Sequence, residues 1–253
     1  MNIVDTHAHL CSDEFGKDLP KVLERAKKAG VIAIIAVGEN LKDARKNLKL
    51  SKKYPMIIPA AGLYPTIVDL SYAKMLHDFL EHHKNAFHAI GEVGLDYWKI
   101  KNKEEREIQR QIFKSFVQLS KRLDLPLNVH SRSAGHHAID ILLKEGASRV
   151  QLHAFDGKAS AAQQAVEAGY YFSIPPSVVH SRQKQKLVKY LPLKCLLVET
   201  DSPVLGPDPK KRNEPANARL SIKAISEIKG VSEGNVANIT FENTKRLYGS
   251  LIN

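Results

Sequence analysis

Two kinds of segment alternate along the chain. Short apolar runs occur at Ile3-Val4, Val31 to Val37, Ile57 to Gly62, Ala89 to Gly94, Pro126 to His130, Val150 to His153, Tyr170 to Ile174 and Cys195 to Glu199. Each has the length and the β-branched content of a buried strand. Between and after them lie stretches with apolar residues at helical spacing: Leu19 to Ala29, Leu41 to Tyr54, Tyr72 to Lys84, Lys103 to Leu123, His136 to Glu145, Ala159 to Ala168, Arg182 to Tyr190 and, beyond a loop, Leu220 to Lys229. Strand and helix alternate about eight times, which predicts parallel βαβ units and matches a (β/α)8 TIM barrel better than an open sheet. The last segment, Ser232 to Leu251, reads as one or two extra C-terminal helices, with Thr240 as the N-cap of the last.

A barrel of this kind builds its active site at the C-terminal mouths of its strands, so the residues there are the ones to inspect. The first strand runs into Asp5-Thr6-His7-Ala8-His9-Leu10. His7 and His9, two positions apart on an extended chain, face the same side, and neutral imidazole is a common metal ligand. The fourth strand runs into Gly91-Glu92-Val93-Gly94-Leu95-Asp96, the fifth ends at His130, the sixth at His153, and the eighth runs into Glu199-Thr200-Asp201. By contrast His77, His82, His83, His136, His137 and His180 fall on faces expected to be exposed. Any one of the strand-end histidines is open to a purely structural reading as a satisfied buried residue. Their recurrence at successive strand ends is what points to a metal. Four imidazoles with two or more carboxylates exceed the four ligands a single zinc ion takes, so a bridged pair of divalent ions is the natural reading, with Glu92 as the bridge.

Composition narrows the class. With 253 residues, of which 43% are hydrophobic, the chain can bury a large core, and barrels of this type run to about 250 residues as one unit. A single domain over residues 1–253 is therefore expected. Cys11 and Cys195 cannot build a disulfide framework, and no charged-then-apolar leader precedes the first strand, which together suggest a reducing compartment, the cytoplasm or, in a eukaryote, the nucleus. No apolar run approaches the roughly 18 residues of a membrane span. Lys plus Arg exceed Asp plus Glu by 38 to 27, giving a net charge of +11 that favours a polyanionic partner. Much of that charge, at Lys27-Lys28, Lys42 to Lys53 and Lys184 to Lys189, reads as solvated helix face.

Five motifs follow one another in order along the chain: Asp5-Thr6-His7-Ala8-His9-Leu10, Gly91-Glu92-Val93-Gly94-Leu95-Asp96-Tyr97, Pro126-Leu127-Asn128-Val129-His130-Ser131-Arg132, His153-Ala154-Phe155-Asp156-Gly157 and Glu199-Thr200-Asp201-Ser202-Pro203. Together they resemble the TatD-type metal-dependent deoxyribonucleases, a family of amidohydrolase-like TIM barrels. Asn128 to Gly135, Tyr171 to Ser177 and Gln183 to Lys189 are most similar to its TatD domain-containing protein 3 subgroup.

The resemblance implies one ion held by His7, His9, Glu92 and Asp201, and a second reached by Glu92 and completed by His130 and His153. It also implies that Glu92 and Asp201 are the catalytic carboxylates, Asp201 orienting or deprotonating the attacking water. One or two divalent ions would be bound, Mg2+ for activity with Zn2+ or Mn2+ as alternatives, in a monomer whose substrate is nucleic acid, DNA above all, cut either from the 3′ end or within the strand.

On the substrate side Arg132 offers a planar fork of donors suited to phosphate. The loop Pro207 to Pro215, with Arg212 and Asn213, resembles the family's substrate loop, or is an ordinary solvated basic loop. Glu199 reads as a hydrogen-bond partner of a ligand and Asp96 as an anchor of the loop after the fourth strand. One departure stands out: Gly62-Leu63-Tyr64-Pro65 replaces the family's Gly-x-His-Pro. A phenol, with its pKa near about 10, cannot shuttle protons at neutral pH, but Tyr64 can donate to phosphate or stack on a base. Two rival readings remain on sequence alone: a metal-dependent amide or ester hydrolase such as a D-aminoacyl-tRNA deacylase, because one fold serves many substrates, and a non-catalytic nucleic-acid-binding protein.

Overall fold

The computed structural model describes residues 1–249. Eight strands, β1 (Ile3–Ala8), β2 (Val31–Ala36), β3 (Ile57–Ala61), β4 (Ala89–Gly94), β5 (Leu127–His130), β6 (Val150–Leu152), β7 (Tyr171–Ile174) and β8 (Leu196–Val198), follow one another in chain order in a single sheet. All neighbours pair in parallel. The sheet closes just beyond β8, where Asp201 N donates to His7 O at 2.8 Å and His9 N donates to Ser202 O at 2.8 Å. The expected TIM barrel is thus present.

The helices α1 (Leu19–Lys28), α2 (Leu41–Lys53), α3 (Leu70–His82), α4 (Lys103–Leu123), α5 (Gly135–Lys144), α6 (Gln163–Glu167), α7 (Arg182–Tyr190), α8 (Ala218–Lys229) and α9 (Glu233–Tyr248) surround it. α3 starts two residues before its periodic pattern because the Asp69 carboxylate caps it, accepting from Ser71 N and Tyr72 N. The segment Ala159–Ala162, expected to belong to α6, is a separate 3-10 turn. No described helix is long and apolar enough to cross a membrane.

At the C-terminus the expected Thr240 cap is not found. One helix, α9, runs through it, capped instead by Ser232, whose hydroxyl accepts from Asn235 N at 3.2 Å. Thr240 is buried in the helix interior and donates to Val236 O at 2.9 Å, satisfying its hydroxyl within the helix and removing any need for a break. Residues 250 and 251 of the expected segment lie outside the described residues.

α9 also plugs the bottom of the barrel. Its Leu247 and Tyr248 pack with Val4, Ala33, Ile35, Ile58, Ala60 and Leu197. Above this apolar floor lies a fully buried polar layer. Tyr248 Oη donates to Gln151 Oε1 at 2.6 Å, Gln151 Nε2 to Ser173 Oγ at 2.8 Å, and Ser173 Oγ to Glu199 Oε2 at 2.6 Å. Such a layer is stable only because each member has a partner, and it forms the shelf on which the mouth residues stand.

Candidate active site

Six of the sequence-predicted residues converge above that shelf. His7 and His9 present Nε2 atoms 3.3 Å apart. Asp201 Oδ1 lies 3.3 Å from the first and 3.4 Å from the second, and Glu92 Oε2 lies 3.7 and 3.3 Å from them. The opposite oxygen, Glu92 Oε1, lies against His130 Nδ1 and 2.9 Å from His153 Nε2, and these two nitrogens are 3.1 Å apart. Glu92 therefore faces two clusters, one with each oxygen. The imidazoles of His153 and His130 outweigh burial and hold its carboxyl well below the usual range.

Neighbouring residues hold these groups in place. Asn128 Nδ2 donates to Thr6 O at 2.8 Å, so its Oδ1, 2.8 Å from His7 Nδ1, accepts from that ring nitrogen. The proton is thereby fixed on Nδ1, and Nε2 turns a lone pair toward the cluster. Asp201 sits at φ 54°, in the left-handed region that aspartate tolerates better than most residues, and the buried Asp5 carboxylate anchors it by accepting from Thr200 N at 2.8 Å. Asp96 fixes the loop after β4 as expected, accepting from Trp98 N and Lys99 N at 2.9 and 2.8 Å, and its other oxygen lies 3.4 Å from His130 Nε2. Glu199 does not hydrogen-bond a cluster histidine. Its oxygens are taken by Ser173 Oγ and Ala154 N, His153 Nδ1 being 3.9 Å away, and burial pushes its pKa up to about 7.

The donor set fits metal. Ligand bonds of 2.0–2.2 Å in a tetrahedral or octahedral shell put neighbouring ligand atoms about 2.9–3.5 Å apart, close to the separations in both clusters. Glu92 Oε2 is buried without a hydrogen-bond partner, an expensive state for a carboxylate unless a cation completes it.

The clusters open into a cavity of about 690 Å3, whose walls include Tyr64, Arg132 and Lys184. The Tyr64 ring packs edge-on against His130 at 5.2 Å, and burial together with nearby carboxylates pushes the phenol pKa up, keeping it a proton donor. Arg132 is exposed and stacks its guanidinium 3.8 Å over the Trp98 ring. Arg212 and Asn213 do not line the cavity. Arg212 makes a forked pair with Asp18 at 2.9 and 2.7 Å, while the buried Asn213 donates to Thr200 O and Val204 O at 2.8 and 2.7 Å. Their place beside substrate is corrected to one that pins the loop after β8 to itself and to the chain before α1.

A family model described as TatD related DNase matches residues 4–249. The chain belongs to the TatD family. Among TatD relatives, the human protein Deoxyribonuclease TATDN3 is 44% identical over 99% of this chain and 96% of its own length. An uncharacterized metal-dependent hydrolase, YabD of Bacillus subtilis, is 35% identical over 97% of this chain and 98% of its own. The crystal structure of YJJV, a TatD homolog from Escherichia coli, superposes with a TM-score of 0.89 at 27% identity, covering 97% of both chains.

Two residues at or beside this TatD cavity were not singled out by sequence reasoning. Lys184, expected on a solvated face, is buried at 8% exposure, and one of its three donors is used, by Ala154 O at 3.0 Å. Burial pushes its ammonium pKa down, against the opposing charges of Glu199, Asp201 and Asp156. Its helix spacing matched Leu187 and Val188, both buried, which was the available signal. Trp98, outside the cavity lining itself, is 47% exposed beneath the Arg132 guanidinium; it is the only tryptophan in the chain, and its position after the β4 motif was the clue.

Proposed function

We propose that this chain is a metal-dependent deoxyribonuclease, with one divalent ion held by His7, His9, Glu92 and Asp201 and a second by Glu92, His130 and His153. The observation that carries the reading is the Glu92 carboxylate, which offers one oxygen to each cluster. The human relative named as a deoxyribonuclease and the net charge of +11 support DNA as substrate. Mg2+ is the proposed activating ion, with Zn2+ or Mn2+ able to occupy the same ligands. All of these ligands come from one chain, in keeping with a monomer, and the two cysteines are free, in keeping with the cytoplasm.

Ions bound there would neutralise phosphodiester charge and acidify water near neutral pH. Asp201, lining the cavity beside both first-cluster imidazoles, would orient an attacking water and accept its proton. Lys184, with two donors unused, and Arg132, which lines the cavity, hold the non-bridging phosphate oxygens. Tyr64 donates a hydrogen bond to phosphate or stacks on the terminal base.

The test is a panel of DNA, ester and amide substrates, D-aminoacyl-tRNA included, with Mg2+, Mn2+ or Zn2+ and with chelator, beside metal analysis of the purified protein. DNA cleavage that chelator abolishes is expected; amide or ester turnover without DNA cleavage would overturn the reading. Lys184→Met is expected to raise KM for DNA about tenfold, about 1.4 kcal/mol, with metal content unchanged. An unchanged KM would return Lys184 to a purely structural role. Tyr64→His is expected to leave the single-turnover rate unchanged or lower it across neutral pH, while Tyr64→Ala weakens substrate binding. A large acceleration in Tyr64→His would show instead that an imidazole proton shuttle is what this site lacks.

A further inference from the structure

α2 carries its charge in an ordered way. Asn40 caps its N-terminus, and Ala44 and Asn47 are buried against the barrel, Asn47 Nδ2 donating to Ala36 O and Val37 O at 3.0 Å each. The outward face presents Lys42, Arg45, Lys46 and Lys49, at the i, i+3, i+4, i+7 positions that share one side of a helix. Lys46 is neutralised by Asp13 at 2.9 Å. Lys42, Arg45 and Lys49 are exposed and enter no ion pair among the described residues. With Tyr72 of α3 they line a groove of about 480 Å3.

The placement of that groove matters more than its charge. Lys42 and Lys46 line both the groove and the active-site cavity, so the two are continuous at the mouth. From Lys42 the row descends the outer wall of the barrel for about 10 Å, seven residues at about 1.5 Å each. That is enough to meet more than one phosphate of a strand whose end lies at the metal clusters. Solvation alone requires no groove and no continuity with the site, and a row of unpaired cations beside a phosphodiester-cleaving cavity is complementary to one polymer, a nucleic-acid backbone.

We infer that the α2 groove is the track along which the rest of the nucleic-acid strand lies while its reacting phosphate is in the cavity. The inference rests on the nuclease reading above, extending it from the reacting phosphate to the rest of the strand. The exposed cations add affinity for length and leave base identity unread, as phosphate contacts do.

Two measurements on the full chain test it. The first is the salt dependence of binding to a fluorescent, cleavage-resistant phosphorothioate strand of about 20 nucleotides, long enough to outrun a site of several nucleotides. The triple variant Lys42→Ala, Arg45→Ala, Lys49→Ala is expected to flatten the plot of log K against log salt by roughly 2, at about 0.7 per lost single-strand contact. The double variant Lys144→Ala, Lys194→Ala, which removes exposed charge at the opposite end of the barrel, is expected to leave the slope as in the parent chain. Equal slopes in parent and triple variant, or equal flattening in both variants, would overturn the track. The second is the dependence of KM on strand length, expected to be steep in the parent chain and weak in the triple variant; the same length dependence in both would also overturn it. A parent chain that cleaves no phosphodiester of any length refutes the nuclease reading, and the salt slopes still decide whether α2 holds a strand.

Discussion

Glu92→Gln is expected to leave the protein folded, with less than one equivalent of metal and DNA cleavage reduced by about a thousandfold or more, about 4 kcal/mol of transition-state stabilisation. The substitution preserves size but removes the negative charge and replaces one oxygen by an NH2 group, which cannot act as a ligand. Because Glu92 Oε2 faces His7, His9 and Asp201 while Oε1 faces His130 and His153, whichever way the amide turns one cluster loses its shared donor. Metal analysis, kcat/KM and a thermal melt on the same preparation check the three parts. Near-normal cleavage in the variant would show that hydrolysis does not pass through this carboxylate.

Gly94→Ala is expected to be the most damaging small substitution for the fold, costing more than about 4 kcal/mol. Gly94 sits at φ +148°, and a Cβ there would lie 1.9 Å from His130 O and 2.8 Å from His130 C, where β4 pairs with β5. Both obstacles are backbone, so no side chain can swing aside. Relief would require separating the two strands that carry Glu92 and His130. A fall in Tm of roughly 10 °C or more, or loss of soluble protein, is the expected reading. Gly234→Ala supplies the contrast, since nothing lies within 4 Å of an added Cβ in α9 and a glycine in a helix is intrinsically costly. Its Tm should stay level or rise slightly; equal melting of the two variants would refute the packing account of Gly94.

The sequence by itself determined the barrel and which imidazoles and carboxylates meet at its mouth. Alternating apolar runs and helical periodicities are local properties, written by burial on the inside and water on the outside, and the strand boundaries at Val31, Ile57, Ala89 and Val150 follow them directly. His7, His9, Glu92, His130, His153 and Asp201 were legible for a related reason: in a parallel barrel every strand end reaches the same mouth, so position along a strand already specifies position in space.

What the tertiary structure decided depends on segments far apart in the chain. Only closure of β1 onto the chain past β8 sets His7 beside Asp201, and only the rotation of the Glu92 carboxylate shows which oxygen meets which cluster. Lys184 was hidden because a lysine on an amphipathic helix is usually solvated, and its burial follows from how α7 leans over the loop after β6. Arg212 and Asn213 were misplaced because loop residues carry no periodicity that says which way they face; a pair with Asp18 and two carbonyls of their own loop decided it. Thr240 has the chemistry of a cap, but a helix ends where its backbone groups find better partners elsewhere, and α9 continues because the floor of the barrel needs Leu247 and Tyr248.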